Sequence, residues 1–80
     1  MNPTLPVKTL HGTSFASLCE DYDNARVAVE QASDVMANIE FNSRDYIGDD
    51  WQKAVEDRKA MFAHLQAVRD YLMAHALHLS

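Results

Sequence analysis

Eighty residues are enough for one domain at most. With 48% apolar and 24% charged residues, the composition is that of a folded chain rather than a disordered tail. A formal charge of −5 argues against direct contact with nucleic acid, because phosphate backbones repel an acidic surface, and it disfavours anionic membranes for the same reason.

Residues 1–12 read as an extended arm. Pro3 and Pro6 restrict it, and His11-Gly12 breaks it before the first regular element. Met1 to Leu10 contains no apolar run of signal-peptide length, and no stretch approaches the roughly 20 apolar residues that span a bilayer. The single cysteine, Cys19, cannot form an intrachain bridge, which suits a reducing cytoplasm. A cytoplasmic protein is therefore expected.

The hairpin is expected over 13–80. Thr13 or Ser14 can cap a first helix over about 14–41. Phe15, Leu18, Tyr22, Ala25, Val29, Ala32, Met36 and Ile39 recur at alternating steps of three and four, which is a heptad-type seam. The helix carries Glu20, Asp21, Asp23, Glu30, Asp34 and Glu40 against Arg26 alone, so it holds essentially all the excess negative charge.

Residues 42–48 form the connection. Asp49 or Asp50 then caps a second helix over about 50–78, with Gln52 placed as in a capping box. Its seam is Trp51, Ala54, Arg58, Met61, Leu65, Val68, Leu72, His75 and Leu79, and Val55, Phe62 and Ala76 widen the stripe. Two nearly equal helices on a short connection must run antiparallel. The expected pairing sets Met36 near Val55, Val29 near Phe62 and Phe15 near Ala76.

The fold expected is all-α: an antiparallel helical hairpin that dimerises into a four-helix bundle. A two-helix chain leaves the flank of a wide apolar stripe wet, and a domain of this size is marginal by itself. Self-association is the usual remedy. The alternatives are a short third helix from residues 5–12, or a monomer whose stripe serves another partner.

Candidate sites each have a bland alternative. Glu20, Asp23, Glu30 and Asp34 fall on one stripe of the first helix around Val27, with no Lys or Arg expected between them. They form either a docking row for a basic surface or a solvated outer face. Tyr46 and Ile47 in the connection either meet a partner or fold back over Trp51. Arg58 on the seam pairs with Glu30, Asp34 or a dimer mate's carboxylate, or else reaches to water. His64, His75 and His78 do not make a metal-ligand pattern and read better as a polar helix end. Cys19, facing Leu72 and His75, reads as a buried structural thiol rather than an activated nucleophile. No catalytic residue, metal, cofactor or small-molecule substrate is called for, and the chain reads as a non-enzyme.

The stretch Val27-Ala28-Val29-Glu30-Gln31-Ala32-Ser33, with the helix from Trp51 to Leu77, resembles small helical-hairpin proteins of bacterial chromosomes and prophages. In its short, acidic, motif-free character the chain is also similar to phage-encoded inhibitors, including anti-CRISPR proteins. Two functions are thus expected to compete. One is a homodimeric, non-catalytic module that binds and regulates an unidentified protein. The other is an acidic phage or mobile-element inhibitor that blocks a nucleic-acid-binding surface on a host protein.

Overall fold

The computed structural model describes residues 2–7 and 14–80. The expected Thr13 cap and the His11-Gly12 break lie outside the described residues, and so does most of the segment for which a third helix was an alternative. Among the described residues there is no strand: α1 (Phe15–Ala37) and α2 (Asp50–Leu79) form a hairpin, and a short 3-10 turn (Ser43–Asp45) lies in the connection. The molecule measures 60 × 22 × 15 Å. Its radius of gyration is 17.6 Å, against about 12 Å for a compact chain of this length.

Helix α1 starts where expected. The Ser14 side-chain oxygen accepts from the Ser17 backbone N–H at 3.2 Å, satisfying one of the donors a helix start leaves free. It ends one turn early, at Ala37 rather than Phe41. The Asn38 and Ile39 amides close a tightened last turn on Val35 and Met36. Phe41 then leaves the helix path to pack on Trp51, 4.6 Å between ring centroids, and on Tyr46 at 5.9 Å. Packing that half-buried ring against two others competes with one further turn of marginal helix. Ile39, expected on the seam, consequently lies beyond α1 and is 61% exposed.

Helix α2 begins at Asp50, but the expected capping box is not made: Asp49 precedes the helix without a side-chain cap bond. A turn sets the helix start instead, the Asp50 amide bonding to the Ile47 carbonyl at 3.2 Å. Gly48 in this turn has φ +60°, a left-handed conformation in which side chains other than glycine's are strained.

The helices are therefore unequal, 23 and 30 residues, and α2 overhangs α1 at the loop end by about two turns. The pairing is also shifted by about one turn from the expected one. Phe15 meets His78 rather than Ala76, and Cys19 meets Ala76. The cause is the shortened α1: the segment from Asn38 to Asp49 runs back along the overhanging start of α2 instead of turning tightly.

Only three described residues are buried, His75, Ala76 and Leu79, all in the last turns of α2. There the arm returns: His78 Nε2 lies 2.8 Å from the Pro6 carbonyl, and Pro3, Leu5 and Pro6 are half-buried. Elsewhere the seam is half-buried at most. A pair of helices has one shared groove and no third layer to close it.

Candidate interaction surface

Helix geometry gives the hairpin two broad faces. At roughly 100° per residue, Asp23, Arg26 and Glu30 lie on one flank of α1, and Ala25, Ala28, Ala32 and Val35 on the other. Two grooves at the loop end mark the same division. One is lined by Val55, Lys59 and Phe62, the other by Met36, Ile39, Tyr46, Ala54, Asp57 and Met61, and Phe41 and Arg58 border both as the ridge between them.

The first face is charged. The Arg26 guanidinium donates to Asp23 at 2.8 and 3.0 Å and to Glu30 at 2.8 Å. Arg69 of α2 donates to the other Glu30 oxygen at 2.7 Å, tying the two helices together. The hydrogen bond from Arg69, helped by that from Arg26, holds the Glu30 carboxyl below its ordinary range. The bonds to Asp23 and Glu30 push the Arg26 guanidinium still higher. Here the structure departs from the expected uninterrupted acidic row: Arg26 bridges Asp23 to Glu30, and Glu30 turns toward α2. Glu20, Asp34 and Val27 remain on the outer side of α1 and are exposed. Arg69 is 39 residues from Glu30, so no local pattern could signal it.

The second face is the less charged of the two. On α1 it carries Ala28, Ala32 and Val35, all exposed. Alongside on α2 are half-buried Met61 and exposed Val68 and Tyr71. Asp21 continues the same stripe one turn before Ala25, and on α2 Asp57 and His64 lie one turn before Met61 and Val68 respectively. Ala28 and Val35 join Ala25, Ala32 and Ile39 of the seam at steps of three and four, widening the apolar stripe of α1 toward this face.

At the loop tip Tyr46 and Ile47 part company. Tyr46 folds back on Trp51, 5.6 Å between centroids, while Ile47 points outward at 86% exposure. Within the chain Arg58 pairs with neither Glu30 nor Asp34. Its guanidinium lies over the rings of Phe41 and Phe62, at 4.8 and 5.1 Å, and donates to the Ala37 carbonyl at 3.4 Å. It thus helps to satisfy the end of α1.

His75 corrects the expected solvated helix end. It is 2% exposed and packed between Tyr22 and Tyr71, 4.4 Å from each ring centroid. Its Nδ1 donates to the Tyr71 carbonyl at 2.9 Å. The Cys19 thiol donates to the Ala76 carbonyl at 3.4 Å. Both polar groups are thereby engaged with helix backbone. Among the described residues no three His, Cys, Asp or Glu side chains are placed to hold a metal ion. No described helix is long and apolar enough to cross a membrane.

No family model, no curated protein and no solved structure matches this chain.

Proposed function

We propose that the chain is a non-catalytic interaction module that works as a homodimer, two hairpins closing into a four-helix bundle that presents its outer helix surfaces to another protein. The observation that carries this reading is the area left uncovered. The chain exposes 6188 Å². A compact monomer of 9.0 kDa exposes about 4,900 Å². The surplus is of the order an obligate subunit contact removes, and it lies on a hairpin whose described residues include only three buried ones.

Sedimentation equilibrium over micromolar to millimolar concentration tests it. A dimer is expected, with a melting temperature that rises with concentration because folding and association are linked. A monomer of concentration-independent melting temperature would defeat the proposal. Capture of one defined protein by the assembled dimer, from the cytoplasm in which a lone reduced thiol is at home, tests the second half.

The competing reading, an acidic inhibitor that blocks a nucleic-acid-binding surface, draws less support. Arg26 and Arg69 neutralise the middle of the row, so Glu20 and Asp34 are left to do most of the docking. It predicts inhibition that weakens with added salt and is abolished by charge reversal at Glu20 and Asp34.

A further inference from the structure

We propose that the second copy of this chain docks on the less charged face, with Ala25, Ala28, Ala32 and Val35 of α1 and Val68 and Tyr71 of α2 as its centre. This inference rests on the homodimer reading above and names the surface that reading leaves open.

Three observations select the face and its occupant. The first is area. The surplus is about 1,300 Å² per chain, or about 2,600 Å² for a pair, inside the range of roughly 2,000–5,000 Å² typical of obligate homodimers. The second is charge. Docking across the opposite face would strip water from the Asp23–Arg26–Glu30–Arg69 network, which association would have to offset. The less charged face, which carries Asp21 and Asp57, keeps that network in water. It also keeps the outward Glu20 and Asp34 of two chains, each of net charge −5, out of the contact.

The third is shape. Three alanines in successive turns make a low ridge on α1, and small residues let helix axes approach to the close end of the usual 8–10 Å. Val68 and Tyr71 stand higher on α2. A two-fold axis through the face sets the alanine ridge of each copy against the taller side chains of the other, a self-complementary contact that closes at two. The face continues into the groove beside Met36, Ile39 and Met61, so the apolar surface at the loop end joins the same contact, with Asp57 at its edge.

The structure supplies an internal control. Val35 and Leu77 are almost equally exposed in the single chain, at 68% and 66%, but Val35 lies on the less charged face and Leu77 on the charged one. Val35→Cys and Leu77→Cys are each labelled with a maleimide across a dilution series, and site-resolved mass spectrometry separates the new thiol from Cys19. Where the protein sediments as a dimer, Val35→Cys is expected to react at least about tenfold more slowly than Leu77→Cys, the two rates converging on dilution as mass action frees the monomer. Equal rates in the dimer overturn the face assignment and leave the dimer standing. Absence of a dimer at any concentration overturns the underlying reading as well.

Ala32→Lys provides a second measure. It is expected to weaken association at least ~100-fold by placing a charge in the contact, whereas Gln66→Lys on the charged face changes it less than about threefold. Wild-type association by Ala32→Lys, or a loss as large in Gln66→Lys, contradicts the assignment.

Discussion

Where α2 finishes, residues 2–7 return to the helix pair, and His75, Ala76 and Leu79 are closed off from water. Where α2 begins, Phe41, Tyr46 and Trp51 cluster on its overhanging turns, yet none is buried, and open grooves flank Phe41 and Arg58. Phe15, Tyr22 and Tyr71 at the first end match Phe41, Tyr46 and Trp51 at the second, so aromatic content does not explain the difference. Coverage does: a third segment crosses one end, and at the other the chain supplies only two layers and a connection. Two helices can hold a seam half-dry, and complete burial takes a third wall.

The sharpest way to break this comparison is to truncate matched leucines. Leu79→Ala opens a cavity at the closed end and is expected to cost about 2–4 kcal/mol. Leu77→Ala, two residues away but exposed, should stay within about 0.5 kcal/mol. Urea melts of the two variants at one protein concentration test the pair, and equal losses would mean that the arm end is not closed in solution.

A smaller effect is expected from deleting residues 2–7. It removes the His78–Pro6 hydrogen bond and the cover of Pro3, Leu5 and Pro6, together worth about 2 kcal/mol. Hydrogen exchange should then speed up in the last turns of α2 and hardly change near Trp51. Uniform acceleration along both helices would show that the two ends melt as one unit.

At the loop end, Arg58→Ala should cost about 1 kcal/mol, since it loses a hydrogen bond to a helix-terminal carbonyl and two ring contacts. Arg58→Lys should recover only part of this, because an ammonium keeps the charge without the planar stacking surface. Full recovery by lysine would reduce the role of Arg58 to its charge. The smallest effect is that of Glu30. Its folded pKa lies below the unfolded one, so the stability it adds is complete above the ordinary Glu value of about 4.3 and disappears as the pH falls through the folded value. The melting temperature of the wild type minus that of Glu30→Gln should be positive at neutral pH and shrink below pH ~4. A difference that grows on acidification would contradict the assigned ion pairs.

Two helices, their antiparallel course, the Ser14 cap and the start of α2 at Asp50 were legible without coordinates, because each depends on neighbours within a few residues: an apolar period, a capping oxygen, a connection too short to reverse twice. The acidic residues of α1 could be counted, and Ala28 and Val35 beside the seam follow the same period. Only the tertiary structure decided where α1 stops, which turn faces which, and what Arg58, Glu30 and His75 touch. Phe41 leaves its helix for Trp51, Arg69 crosses 39 residues to reach Glu30, and Pro6 meets His78 from the other end of the chain. Contacts of that kind are settled by competition between distant parts of the molecule for the same surface. A periodic pattern shows that a helix has a face to cover, and the position of the rest of the chain determines what covers it.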